Sequence, residues 1–290
     1  MPLTVAALVL LSAALHPVWN VLIKRDASPA GAFLLFGSTL VAVGVVQALA
    51  SGRSLWPSAE VWPLLALSGA GQALYGTALV VALRRGDLSA YYPVVRASPV
   101  AVVAWGWLAQ GQSYGWPLLL GIALVLAGGF RLQARPGRRF DDPVALAAAV
   151  LAMLGSAVYS IADGQAMRIA PPELVLVWGQ GLAMPLDALA FRLAGMPLGG
   201  GSRDGATGGG RWRGRLYAAV AGVIGYASYY LILLAYQMGG GVAAVTSVRQ
   251  ASIPLSVLMG ALWLGERNLS RRLAASLVVA AGILLIVFNR

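Results

Sequence analysis

Long apolar runs alternate with short polar breaks along the chain, and the length of the runs decides what they are. A helix needs about 20 apolar residues to cross the hydrocarbon core of a bilayer. Ten runs approach or exceed that length: Leu3–Ile23, Ala30–Ala50, Val61–Leu83, Leu88–Ala109, Gly115–Leu132, Pro143–Met167, Pro172–Leu193, Leu216–Met238, Val242–Leu264 and Arg272–Asn289. Most connections are short, as neighbouring antiparallel helices require. The longest, Ala194–Arg215, contains GGGSRDGATGGGRWRGR and reads as a flexible, solvated linker without chemistry. The first run follows only Met1 and Pro2, with no basic flank, so the expectation is a retained helix and not a signal peptide.

Two runs depart from the pattern. Gly86–Pro99, GDLSAYYPVVRASP, carries an arginine, two tyrosines and two prolines where a lipid-facing helix would carry leucine. Gly241–Pro254, GVAAVTSVRQASIP, repeats the order of glycine, small residues, arginine and proline 155 residues later. Aligning Pro99 with Pro254 also aligns Gly86 with Gly241 and Gly111 with Glu266, while Arg96 and Arg249 stay two places out of register. An arginine at bilayer depth costs several kcal/mol, so each must face protein, water or a ligand. The chain therefore reads as two halves, residues 1–132 and 143–290 joined by 133–142, each built around one broken helix.

Composition supports the bilayer. The chain is 59% hydrophobic and 11% charged, where a water-soluble domain carries about 25% charged residues. The net charge of +11 does not point to nucleic acid, because the basic residues fall in short loops between apolar runs. Cysteine is absent and His16 is the single histidine, which excludes disulfides, thiol catalysis and Cys-ligated or multi-histidine metal sites. No cofactor is expected. Of the 21 Lys and Arg, 16 lie in loops after odd-numbered runs, among them Lys24, Arg84, Arg139, Arg213 and Arg267. Only Arg53, Arg168 and Arg290 lie on the other side. This bias places the odd loops in the cytoplasm and both termini outside, in a multi-pass cell membrane protein. Five runs per half is an odd number, so the halves must be inverted. Inverted halves with broken helices at their interface are how many secondary transporters build a site near the midplane.

Three stretches carry a family resemblance: LHPVWNVLIKR (Leu15–Arg25), YPVVRASPV (Tyr92–Val100), and WLGER (Trp263–Arg267) before the last apolar run. In these the chain resembles the EamA-type transporters of the drug/metabolite transporter superfamily, over essentially its whole length. The resemblance implies an all-α integral membrane fold of ten transmembrane helices, arranged as two inverted five-helix repeats. It also implies a central cavity lined by helices 1, 3, 4, 6, 8 and 9. One departure is that AQGQ (Ala109–Gln112) stands in the first repeat where the second has LGER, so the glutamate occurs once.

The polar residues inside the runs are the candidate site. His16, Trp19 and Asn20 share one helical face, beside Pro17. They read either as a cavity wall, with His16 able to titrate near neutral pH and couple a proton, or as an interhelical contact. Arg96 lies about 12 Å into its helix at 1.5 Å per residue, close to mid-bilayer, and Arg249 lies at similar depth from the other side. Each reads as a bidentate grip on a carboxylate or phosphate-like group, or as a cap on carbonyls freed by Pro93, Pro99 or Pro254. Tyr92 shares the face of Arg96, and Tyr159 that of Asp163. Asp163, 20 residues into its run, is expected near the outer interface, Asp187 in a solvated pair with Arg192, and Glu266 at the cytoplasmic surface. Tyr75 with Gln72, and Tyr226, Tyr229 and Tyr230, could form an aromatic cavity wall. Gly37, Gly44, Gly69, Gly76, Gly121 and Gly128 suit close helix packing.

The expected function is secondary transport of a small metabolite, export of an amino acid or other small organic anion or zwitterion, with the bilayer and that solute as partners. No acidic partner for Arg96 or Arg249 is evident, so the substrate would supply the negative charge, with chloride holding the place when the site is empty. The alternatives are an integral-membrane transferase or hydrolase on a lipid-linked substrate, and a non-transporting partner subunit. An enzyme would need clustered acids, a metal site or a nucleophile with its base at one membrane face. The ten acids here are dispersed.

Overall fold

The computed structural model describes residues 1–23, 28–85, 88–133, 142–196, 198, 209–255 and 269–288. Among them there is no strand. The described residues form eleven α-helices: α1 (Leu3–Ile23), α2 (Pro29–Ala50), α3 (Trp62–Arg85), α4 (Leu88–Val95), α5 (Ser98–Gln110), α6 (Trp116–Gln133), α7 (Pro143–Ala166), α8 (Pro172–Leu193), α9 (Gly209–Gln237), α10 (Val242–Val248) and α11 (Leu269–Phe288). Short 3₁₀ turns at Ala59–Val61 and Arg249–Ala251 interrupt the chain before α3 and after α10. Six helices among the described residues are long and apolar enough to cross a membrane, in α1, α2, α3, α7, α8 and α9.

The distribution of side chains is that of a protein in lipid. The interior is built from alanine, glycine and valine, with Ala13, Ala82, Ala152 and Ala235 fully buried. Large apolar side chains point outward instead, among them Val46, Leu49, Trp107, Leu108, Leu189 and Leu277. Water would penalise such a surface and hydrocarbon does not, so this is a multi-pass membrane protein.

Small residues let the helices meet. α3 packs along α7, α1 along α9, α6 along α11, and α2 and α8 pack on each other, with α3 against α8 and α2 against α9. A methyl placed on Gly155 of α7 would come within 2.6 Å of the Tyr75 backbone nitrogen on α3. Gly121 and Gly282 play the same part between α6 and α11. The six glycines expected to permit close packing all face neighbouring helices at short range.

Both arginine-bearing runs are broken at the arginine. α4 ends at Val95, Arg96 and Ala97 form a turn, and α5 begins at Ser98 with Pro99 in its first turn, where a missing N–H costs nothing. In the second run α10 ends at Val248 and the 3₁₀ turn begins at Arg249 itself. The long linker is shorter than expected, because α9 already starts at Gly209. Extending an existing helix fixes one residue per hydrogen bond gained, which even a Gly- and Arg-rich stretch can meet. Glu266 and Lys24 lie outside the described residues.

Candidate functional site

A cavity of ≈ 120 Å³ lies at the centre of the bundle. The two breaks deliver Arg96 and Arg249 to it, and seven of the ten sequence-predicted residues line it: His16, Trp19, Tyr75, Arg96, Tyr159, Tyr229 and Arg249. The Arg96 guanidinium donates to the Ser252 hydroxyl and sits over the Tyr92 ring, 5.8 Å from its centroid. The Arg249 guanidinium lies 5.3 Å from the Tyr229 centroid and donates to the Tyr159 hydroxyl at 3.5 Å. Neither forms an ion pair among the described residues. Each reaches a hydroxyl and an aromatic face.

The other three predicted residues stand off the cavity. Tyr92 lies beneath Arg96. Asn20 is half-buried and does not reach the wall. Asp163 is fully buried, and its Oδ2 accepts a hydrogen bond from the Tyr229 hydroxyl. Asp163, expected near the outer interface, lies within three residues of the end of α7 and is covered there by α9.

Two expectations change. Asp187 is buried and accepts a hydrogen bond from Thr77 of α3 at 3.1 Å, so it makes no solvated pair with the exposed Arg192. Five residues of separation turn Arg192 off the face of Asp187, where four would align them. Of Tyr226, Tyr229 and Tyr230 on α9, only Tyr229 lines the cavity. Tyr226 and Tyr230, four apart, stack on each other, and the Tyr226 hydroxyl donates to Gln47 at 2.8 Å.

Apart from Gln72, which the sequence places beside Tyr75, the rest of the wall lies beyond the sequence-predicted residues. α2 contributes Phe33, Phe36 and Leu40, and α8 contributes Leu176 and Gln180, so helices outside the expected six also line the cavity. Trp19 bridges the two sets, 4.7 Å from His16 edge-on and 5.0 Å from Phe36. Ser98, Ser156, Ser160, Ser228, Thr246, Gln72 and Gln250 add neutral polar groups. An alternation of Ser with apolar residues is common in any packed membrane helix, so no sequence signal marked these serines. Several polar atoms of the wall are buried without a partner among the described residues: both ring nitrogens of His16, Nε of Arg96 and Oε1 of Gln250. Buried groups of this kind are ordinarily satisfied, by protein, water or ligand.

A second aromatic group lies outside the cavity wall, where α8 meets the start of α3. Trp56, Trp62 and Trp178 form an aromatic cluster with centroids 4.7–6.0 Å apart, and the Trp178 indole donates to the Leu55 carbonyl at 2.7 Å. Beside it Arg53 pairs with the buried Glu173 at 2.6 Å. The arrangement offers a polar, cation-bearing chamber within an apolar bundle. Such a chamber can offer hydrogen bonds and positive charge to a small polar group.

No family model and no curated protein matches the chain. A solved crystal structure, described only as that of a protein, has a TM-score of 0.79 and covers 98% of this chain and 96% of that chain, at 19% sequence identity. That likeness shows the fold alone.

Proposed function

We propose that the protein is a secondary transporter of a small organic anion or zwitterion, of the EamA type that its sequence resembles, and that the central cavity is its solute site. The observation that carries this reading is the pair of arginines at two helix breaks. Both line one cavity, and among the described residues neither has a carboxylate partner. A buried cation without a counter-ion is costly, and a solute that brings the negative charge removes the cost.

The same reading takes the chain as two inverted five-helix repeats, with ten crossings and both termini outside. The packing pattern supports it. Exchanging the first half for the second turns the α1–α9 pair into α7–α3 and the α2–α9 pair into α8–α3, and it leaves α2–α8 and α6–α11 unchanged. Ser12 and Gly155, His16 and Tyr159, and Asn20 and Asp163 are matched at one constant separation in sequence. The tryptophan cluster then lies toward the outer face, and the arginine-rich loops lie inside.

Purified protein in proteoliposomes, given radiolabelled amino acids and organic anions, tests the function without any partner subunit. Uptake or exchange of at least one of them is expected. Its complete absence with well-folded protein would remove the reading. A reporter fused after Arg290 that fluoresces only in the cytoplasm should stay dark, and a bright one would invert the topology.

A further inference from the structure

The solute site has an acid beside it that does not reach the cavity. Asp163 is fully buried on α7, and its carboxylate is held by the Tyr229 hydroxyl of α9. The same tyrosine ring carries the Arg249 guanidinium on its face, 5.3 Å from the centroid. Tyr229 thus stands between the cation and the carboxylate. Without it the two would be free to close into an ion pair, which is the usual fate of opposite charges in an apolar interior.

With Asp163 set behind Tyr229, the wall of the cavity holds two guanidinium groups and, among the described residues, no carboxylate. Both arginines line the same cavity as His16 and Tyr75, so the two positive charges face one small volume. Arg96 Nε and the two His16 nitrogens, unpartnered among the described residues, add directed polar atoms to that volume. An ammonium group would find no anionic partner there. The space is also small: an apolar cavity of about 150 Å³ holds one benzene molecule, and this one encloses ≈ 120 Å³.

We propose that Tyr229 sets the charge selectivity of the cavity: by holding Asp163 away from Arg249 it leaves two guanidinium groups that, among the described residues, have hydroxyl and aromatic partners but no carboxylate, and the solute they accept is a small dianion without an ammonium group. This narrows the transport reading and rests on it for the identity of the site. The shared chemistry is a compact double negative charge, from a phosphate or phosphonate head or from a short dicarboxylate. Arginine suits both, because its fork matches the oxygens of either group.

The test uses the purified full-length protein at mildly alkaline pH, with binding read by thermal shift and isothermal titration. The solutes are inorganic phosphate, methylphosphonate, succinate, glycine and lysine. Wild type is expected to bind one or more of the dianions and to ignore glycine and lysine, with phosphonate against succinate telling the two sources apart. Tyr229→Phe releases the carboxylate toward Arg249, and dianion affinity should fall at least about tenfold, the factor carried by one lost hydrogen bond to a charged group. Asp163→Asn should bind dianions at least as tightly as wild type, and adding it to Tyr229→Phe should restore the lost affinity. A merely structural tyrosine would not be rescued in this way.

The proposal is overturned if glycine or lysine binds wild type as tightly as the best dianion, if no dianion binds, or if Tyr229→Phe leaves selectivity unchanged. Should Tyr229→Phe not fold, Asp163→Asn decides alone. Retained dianion binding supports the proposal, and loss of all binding makes Asp163 a ligand and ends it. Wild type that binds dianions without moving them in proteoliposomes would sink the transport reading and leave this one standing. Wild type that transports only zwitterions would do the reverse.

Discussion

Around Arg96, α3 and α7 cross backbone to backbone at Gly71 and Gly155, and no hydroxyl intervenes. Around Arg249, α1 and α9 meet at Ser12 and Ser228, whose hydroxyls lie 3.1 Å apart, and Ser228 also donates to the Ser12 carbonyl at 3.0 Å. The first wall is therefore held by close packing and the second by a buried polar pair. Their arginines differ in the same sense. Arg96 rests on Tyr92 and Ser252, whereas Arg249 rests on Tyr159 and Tyr229 with Asp163 one ring behind. The wall that binds its cation to neutral groups alone has nothing to give up when a solute enters. The other carries an acid that must be kept aside.

The largest effect expected from breaking this contrast falls on Arg96. Arg96→Gln should abolish solute uptake in proteoliposomes while yield and melting temperature in detergent stay near wild type, because no ion pair is orphaned by the change. Arg96→Lys should rescue only in part, since a point ammonium cannot make a bidentate contact. If instead both variants lose expression and thermal stability, Arg96 serves the fold. If Arg96→Gln transports normally, the site has been misplaced.

How much of this was legible beforehand follows from what a residue depends on. Arg96 and Arg249 stand out in the sequence as charges inside apolar runs, and the prolines beside them mark the breaks at which they stand. Burial of Asp163 and Asp187 depends on what the facing helix carries, Tyr229 in one case and Thr77 in the other. No count along α7 or α8 contains that information. Phe33 and Phe36 were invisible for a related reason, since a phenylalanine toward a cavity and one toward lipid look alike in sequence. Tyr226 shows the converse. It has the same residue type as Tyr229 three positions away, yet the helical turn sends it to Gln47 and not to the cavity.

The next effect in size falls on the crossings themselves. Gly155→Leu places side-chain atoms where a Cβ alone would already sit 2.6 Å from the Tyr75 nitrogen and 2.7 Å from the Gly71 carbonyl oxygen. Both are backbone atoms and cannot step aside. Overpacking of this kind costs about 1–3 kcal/mol or more, so the variant should melt well below wild type in detergent, and transport should fall with it. At the other crossing, Ser12→Ala removes one hydroxyl of a buried pair, and interhelical hydrogen bonds in membranes average about 0.6 kcal/mol. Its melting temperature should drop only slightly. Equal losses in the two variants would erase the distinction between a packed wall and a bonded one.

The smallest effect lies at the solvated edge of the first wall, where pH gives the handle. Asp142 caps α7, accepting from the backbone N–H groups of Val144 and Ala145 at 2.8 and 3.1 Å, and it pairs with Arg85 at the end of α3 at 3.0 Å. The Tyr91 hydroxyl on α4 accepts from the Asp142 backbone N–H at 3.0 Å, which ties the arginine-bearing run to the same point. The Ala145 N–H first, then the Arg85 side chain and the Val144 N–H, together hold the Asp142 carboxyl below its ordinary value against the opposing effect of desolvation. A carboxylate favoured in the folded state stabilises it at every pH above its unfolded value, about 3.9. That stabilisation fades as pH falls through the folded value. Asp142→Asn keeps a capping oxygen but cannot titrate, so its melting temperature should lie slightly below wild type near neutral pH. The gap should close as the pH is lowered through the acid range. Salt should shrink it as well, because the Arg85 pair is exposed to solvent. A gap that stays constant with pH and salt would assign the role of Asp142 to cap geometry alone.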